Sequence, residues 1–563
     1  MRAQRFVPAC FCILGASLAL GCGASDASDR AAADFAGIPP PATQAPRDET
    51  PGVSSGSGQS APAAPEQERE STFRAPVVTG KYVWSANPES GRVAAIDAET
   101  FEIRSAEAGF LPTHVAALNR PDGVPRALVI NVGGNDATLL ELVSSGPIAT
   151  RSVPLHQGAD SWSVGPDGHF AIAWTDSRKA LALDATDGFQ DITVLELPAT
   201  GAPTATRLTV GYRPTSFAFD SSGEHAFGVT QDGISVIALS SGAPQLSRLV
   251  PLPSQRGLQP DVSVTPDGSR ALARLEGSSI LYDIDLATAA TTEIELGGEL
   301  TDLDLSDDGS RAVAVLRGGT LPSAPPLPDA GTDAGADAGP DASTEAPLVQ
   351  ASRAVFIPIP GGLTNPSLRQ VLSSPTSSFG SVALSADGAH AVLFTTARAS
   401  GKVTLVGPDL TSRNVDLLAA VRAVFITADG SHAIALQDPA PGSQRKGAFS
   451  VVSLTSVRAP KLVASDAPAE TVALSPTSSD RALVTVSDPS TATFGAFLVR
   501  LPNLQVDFSS LPSRPLSSGT VPSANKAFVA QSHPEGRITF INLEDGEGRE
   551  ITGFELSSKV VNE

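Results

Sequence analysis

Cysteine is almost missing from this sequence of 563 residues. Cys10, Cys12 and Cys22 are the whole complement, and none follows residue 22. The one methionine is Met1. Beyond residue 22 there can be no disulfide scaffold, thiolate zinc site, iron–sulfur cluster or thiol nucleophile. Aromatics make up 5%, too few for a stacking cradle for sugars or quinones in every part of the chain. Positive charge is scarce. Lys and Arg number 39 against 60 Asp and Glu, for a net charge of −21, which argues against a nucleic-acid partner. Phosphate-cradle motifs of the G-x-x-x-x-G-K-[ST] and G-x-G-x-x-G types are missing, as is His-Glu-x-x-His. The sequence therefore offers no catalytic constellation and no metal or cofactor site. After the N-terminus no apolar run of about 18 residues occurs, so no later helix is expected to span a membrane.

What is present begins with an address. Arg2 and Arg5 precede an uncharged apolar run from Phe6 to Leu20, too short for a spanning helix and placed as a secretory signal is. It ends Ala19-Leu20-Gly21-Cys22. This resembles the lipobox of bacterial lipoproteins, although Ala19 stands where the family more often has Leu. The resemblance implies a signal peptide over residues 1–21, acylation of Cys22 and a membrane partner reached through lipid. Several acyl chains anchor stably, at about 0.8 kcal/mol per buried CH₂. Gly23, rather than Asp, follows the cysteine, which in Gram-negative lipoproteins favours the outer membrane. The rival reading is an ordinary signal peptide with a fortuitous cysteine.

Residues 22–75 are rich in Ala, Pro, Ser and Gly and read as a tether with a reach of roughly 40 Å. Gly52-Val53-Ser54-Ser55-Gly56 matches a hydrolase elbow in letters only, because no strand–turn–helix pattern surrounds it.

From residue 76 to 563 the chain repeats. Val262 to Ala273 (VSVTPDGSRALA) matches Leu303 to Ala314 (LDLSDDGSRAVA), and Val382 to Val392 and Val424 to Ile434 are further copies. An alanine after the turn recurs at Ala127, Ala171, Ala226, Ala271, Ala312, Ala391, Ala433, Ala482 and Ala527. Alternating segments such as Ile234–Leu239 and Ile280–Asp285 follow. Period-2 patterning with turn signals and no helical stripe means an all-β fold. Four short strands in each unit of about 45 residues fit a propeller blade. The Thr-Pro-Asp-Gly-Ser-Arg-Ala pattern, with Lys81–Asn87 (KYVWSAN) and Val93–Asp97 (VAAID), resembles the YVTN and WD40-like β-propeller repeats. By that analogy the strand before the turn is innermost.

About ten units can be counted, with 7–10 blades open. The alternatives are eight or nine true blades with one degenerate unit, or two smaller propellers in series. The opening unit lacks an obvious innermost strand; Lys559–Asn562 or Ala75–Thr79 would supply it. Residues 320–350, with Asp329, Asp333, Asp337 and Asp341, interrupt one unit and read as a flexible acidic loop on the face opposite the Asp-Gly turns.

The residue before each recurrent alanine is usually basic: Arg126, His225, Arg270, Arg311, His390, His432, Arg481 and Lys526. Two readings compete. One is an anion-binding rim on one face. The other is local pairing with the turn acids Asp122, Asp267, Asp308, Asp387 and Asp429. His114, His156 and His533 fall in connections and show no metal spacing. Trp84, Trp162 and Trp174 are expected to pack between blades. Two functional expectations follow. The first is a lipid-anchored module of the cell envelope that binds or scaffolds a protein or glycan. The second is an enzyme resembling propeller lactonases or hydrolases, with a polar site at the axial channel.

Overall fold

Forty strands in ten four-stranded sheets make up the structure, a computed structural model that describes residues 76–553 apart from 144–145, 177–188, 254–259, 319–351, 375–377 and 476–478. Cys22, the residue 22–75 segment, the 320–350 insertion and Lys559–Asn562 lie outside the described residues. Among those described, no helix is long and apolar enough to cross a membrane.

In every sheet the strands lie in chain order and pair antiparallel. We number the sheets as blades 1–10 and the strands within each from first to fourth. Connections between first and second strands, and between third and fourth, then share one end of every blade, here the turn face. Second-to-third connections and the entries to first strands share the other, the mouth face.

The blades form one closed ring. Ten apolar clusters occupy the ten interfaces between successive blades. One of them joins Val83, Ala94 and Ile96 of blade 1 to Val521, Phe528 and Phe540 of blade 10. Two propellers in series would need a second closure, and none of the ten clusters supplies one. Each middle strand is covered on both sides by neighbouring blades, so it buries runs of consecutive side chains rather than every second one. Val313–Leu316 in blade 6 and Leu128–Ile130 in blade 2 are fully buried. Their sequences accordingly read as short apolar runs. The fourth strands form the outer edge; Gln245–Val250 leaves five of its six residues exposed.

All nine recurrent alanines sit in second strands and are at most 1% exposed. The signature before them is a self-capped turn. Asp267 Oδ1 accepts from Thr265 Oγ1 at 2.6 Å and from the Ser269 amide at 3.0 Å, while the Arg270 amide donates to Thr265 Oγ1 at 3.1 Å. The turn around Asp308 repeats this with Ser306 and Ser310. Glycine follows because the backbone there is left-handed and the next turn is close. At Gly309 φ is +70° and a Cβ would lie 2.6 Å from Pro266 of the preceding blade.

Among the described residues, closure uses no shared strand. Val77–Thr79 is the first strand of blade 1, pairing with Tyr82–Trp84, so the nearer of the two expected donors fills the place. Gly495–Ser510 and Pro515–Thr552 complete blades 9 and 10 from their own segments. Side chains close the seam instead. Arg549 stacks 4.2 Å from the Phe101 ring, Lys526 stands 5.3 Å from it, and Phe101 meets Phe540 edge-on at 5.4 Å. Ser523 Oγ donates to Gly80 O at 2.7 Å. Arginines clasp other interfaces in the same way: Arg104 to Val143 O, Arg151 to Gly201 O, Arg458 to Pro502 O and Arg500 to Glu544 O. At the seam the clasp takes an aromatic face in place of a carbonyl. The tryptophans pack between blades as expected. Trp84 is fully buried and Trp174 stacks 4.9 Å from Phe217.

Candidate functional site

The eight basic positions of the sequence pattern recur at the turn face, each at or beside the start of a second strand. Their partners differ. Arg126 is 3% exposed and pairs with Asp122 at 2.8 Å and Glu141 at 2.7 Å. Arg270 reaches Asp283 of the third strand at 2.6 Å. Arg311 donates to Gly388 O of the next blade at 2.8 Å, and Arg481 to Leu543 O at 2.9 Å. His225 pairs with Asp220 at 3.0 Å, His432 meets Ser431 at 2.9 Å, and Lys526 belongs to the Phe101 seam. His390 rests its ring against Gly430 of the following turn. Of these eight, Arg126 alone pairs with one of the turn acids expected for it. The other turn acids cap their own turns. Burial works against their charge, yet the hydroxyl and amide donors at Asp267, Asp308, Asp387 and Asp429 outweigh it and hold the carboxyls down.

The mouth face is built differently. In five blades the first strand carries a β-bulge at its start, beside Thr113, Thr301, Arg422, Glu470 and Leu516. A bulge breaks the pairing for one residue and re-aims its side chain. Thr301 and Arg422 use that freedom to reach the next blade, at Gly380 O (2.7 Å) and Ala469 O (2.6 Å).

Two charged groups result. On blades 5 and 6, Arg274 Nε lies 3.0 Å from Asp261 Oδ2, and its Nη1 donates to Thr301 O at 2.9 Å. Burial and the nearby Asp302 outweigh Arg274 and push Asp261 up to about 6. Asp302 and Asp304 accept the amides of Val382 and Leu384 at 2.7 and 2.9 Å, tying blade 6 to blade 7.

On blades 8–10, Glu470 stands between Arg422 and Arg514. Burial raises its carboxyl although Arg514, Arg422 and Ser487 draw it down. Glu470 Oε2 and Ser487 Oγ are both buried, and Ser487 is 2% exposed. The sequence pattern pointed to none of these residues. The available signal was a charge inside otherwise apolar strand starts, as in Val421–Ile426 (VRAVFI) and Ala469–Leu474 (AETVAL).

His156 is 3% exposed, with Nδ1 2.9 Å from Thr193 Oγ1, and burial pushes its pKa down. His533 caps its own turn by accepting the Glu535 amide. No group of three His, Cys, Asp or Glu side chains arranged for a metal ion is found among the described residues. The mouth face also displays apolar side chains: Phe110 is 65% exposed and Leu418 70%.

No family model matches the chain, and no curated protein does. Solved structures do. The eukaryotic initiation factor is similar at 12% identity and a TM-score of 0.46, over 84% of this chain and 96% of that one. The dihydro-heme d1 dehydrogenase NirN is similar at 13% identity and a TM-score of 0.39, over 70% of this chain and 78% of its own. Hydrazine synthase of Kuenenia stuttgartiensis is similar at 16% identity and 0.32, over 61% and 96%. At such identities and scores nothing about activity follows. By its own strand order and closure, the chain is a ten-bladed β-propeller.

Proposed function

We propose that this protein is a lipid-anchored β-propeller of the bacterial cell envelope that serves as a binding or scaffold module for a protein or glycan. One observation carries the reading. Charged groups on both faces are directed at the neighbouring blade, as with Arg311, Arg481, Arg422 and Asp302, which makes a stiff ring whose broad faces can present a partner surface. Phe110 and Leu418 supply apolar contact area on one face. Acylation at Cys22 and a tether over residues 22–75 would hold the ring near a membrane and raise its effective concentration there.

Palmitate labelling and membrane fractionation test the anchor. Cys22→Ser is expected to lose the label and to move to the soluble fraction; a variant that stays membrane-bound refutes it. Crosslinking in envelope extracts, compared between the parent and a Phe110→Asp, Leu418→Asp double variant, tests the binding role. A specific product lost in the double variant supports the reading, and an unchanged product pattern refutes this surface.

A second reading, an enzyme resembling propeller lactonases or hydrolases, is favoured by the raised Glu470 carboxyl beside the Ser487 hydroxyl. It requires turnover of a lactone or ester panel that Glu470→Gln abolishes.

A further inference from the structure

A strand at the rim of a sheet carries a row of unpaired backbone groups, and proteins ordinarily guard such edges with charge or proline. The ten fourth strands form the outer rim of this ring. Nine of them carry at least one charged residue, as Arg248 does in Gln245–Val250 and Asp507 in Gln505–Ser510. Blade 6 is the exception. Its fourth strand, Gln370–Ser374 (QVLSS), has neither charge nor proline. It pairs inward with Ser352–Phe356, and no strand lies on its outer side among the described residues. Val371 is 57% exposed there, and Leu368, just ahead of the strand, is 48% exposed. Arg369 between them does not guard the edge. Its Nε donates to Gly362 O at 2.7 Å and its Nη2 to Leu363 O at 3.0 Å, so its charge is drawn back onto the helix Gly361–Thr364.

Acid flanks this neutral strip. In blade 5 the fourth strand Thr291–Glu295 exposes Glu293, and in blade 7 the fourth strand Ser412–Asp416 exposes Asp416. Neither carboxylate forms an ion pair among the described residues. We propose that the outer edge of blade 6 is a docking site for an extended peptide segment of a partner protein, carrying both apolar and basic side chains, which adds to the sheet as a further strand. Main-chain hydrogen bonds to the free edge supply affinity, and alternating side chains of the added strand supply choice. Its two faces look toward blades 5 and 7. Apolar residues cover Val371 and Leu368, and basic ones answer Glu293 and Asp416. A second copy fits the edge poorly. It would bring the same acids against their own kind, in a chain of net charge −21.

The inference rests on the binding-module reading and gives that module a partner chemistry, on a surface that does not include Phe110 or Leu418. Fluorescence polarisation follows three labelled peptides against the full chain: one built of Val, Thr and Lys, a copy with Glu in place of Lys, and a copy N-methylated along its backbone. Saturable binding of the first is expected, about tenfold tighter than the second. The third should not bind, because its donors to the edge are gone. Val371→Lys, a change at an exposed position, should weaken binding by about tenfold by guarding the edge and leave the thermal midpoint unchanged. Glu293→Gln combined with Asp416→Asn should weaken it severalfold, the scale of exposed ion pairs. The Phe110→Asp, Leu418→Asp double variant should bind the peptide like the parent, which separates failure here from failure of the crosslinking experiment. Absence of saturable binding overturns the proposal. So does equal binding of the Lys and Glu peptides, or Val371→Lys binding like the parent. A parent dimer in sedimentation velocity that Val371→Lys dissolves assigns the edge to a second copy and overturns it too. Should Val371→Lys fail to fold, the N-methylated peptide decides alone, and its binding like the first peptide overturns the proposal.

Discussion

The two faces of the ring use polar residues in opposite ways. On the turn face an Asp, a hydroxyl and a glycine satisfy one another within about five residues, and the same solution recurs from blade to blade, as at Asp267 and Asp308. On the mouth face charged side chains meet, within a blade or between blades, in arrangements that do not repeat. Arg274 with Asp261 and Arg422 with Glu470 occupy similar heights yet carry different partners. Repetition marks what every blade needs in order to stand. Departure from it marks where one sector can do something that its neighbours do not.

The sharpest break in this comparison should come from the turn face. Arg126 is almost fully buried between Asp122 and Glu141. Arg126→Ala leaves two carboxylates facing each other, one of them largely shielded, and should cost about 3 kcal/mol in chemical denaturation, near the low end for a broken buried pair. If the basic positions served mainly as an anion rim, the loss would be within about 0.5 kcal/mol, as for surface changes. Next in size is Gly309→Ala. The added methyl would meet Pro266 at 2.6 Å, on a backbone with φ of +70°, and a loss of about 1–3 kcal/mol is expected from strain of that kind. Gly242→Ala is the control, since φ is +72° there and nothing lies within 4 Å. The difference between the two isolates the cost of turn-on-turn packing from that of the backbone alone.

This contrast also explains how far the sequence could be read. The nine alanines and the Asp-Gly turns were legible because the ring imposes them repeatedly, and repetition is visible in one sequence. All nine alanines lie where expected, and the strand before each turn is the first of its blade. Blade number stayed open because closure depends on long-range packing of Phe101 with Arg549 and Phe540, which leaves no local pattern. The role of the basic positions was half legible. Their recurrence was plain, but the partners vary, and several belong to another strand or blade, as Asp283 does for Arg270. Glu470, Arg422 and Ser487 were invisible as a group. They lie on two blades, and Arg422 and Glu470 sit at bulges that nothing in the local residue pattern announces.

Asp308 on the turn face and Glu470 on the mouth face should respond to pH with opposite sign. At Asp308 burial is outweighed by donors from Ser306 and Ser310, and the carboxyl is lowered. A lowered carboxyl contributes stability that is complete above its unfolded value of about 3.9 and is lost as pH falls through the folded value. Asp308→Asn should therefore cost up to about 1 kcal/mol near pH 7, on the scale of one modest hydrogen-bond set. It should also flatten the acid limb of a midpoint-against-pH curve. An acid limb of unchanged slope would show that the turn carboxylates do not set it.

Glu470 gives the smallest and most discriminating effect. Its carboxyl is raised, with burial the leading cause, so the folded chain holds its proton at pH values where the unfolded chain has released it. Stability from this group is full below the unfolded value of about 4.3 and falls as pH rises through the folded one. Glu470→Gln removes the penalty of ionising a buried carboxyl and forfeits its attraction to Arg422 and Arg514. Because the raised value means that the penalty exceeds the attraction, the variant should be at least as stable as the parent near pH 7.5. Its advantage, below about 1 kcal/mol for a partly exposed group, should vanish below about pH 4. A variant less stable at pH 7.5 would mean that the two arginines hold Glu470 as an ordinary structural bridge between blades 8 and 10. The mouth would then follow the same rule as the turn face.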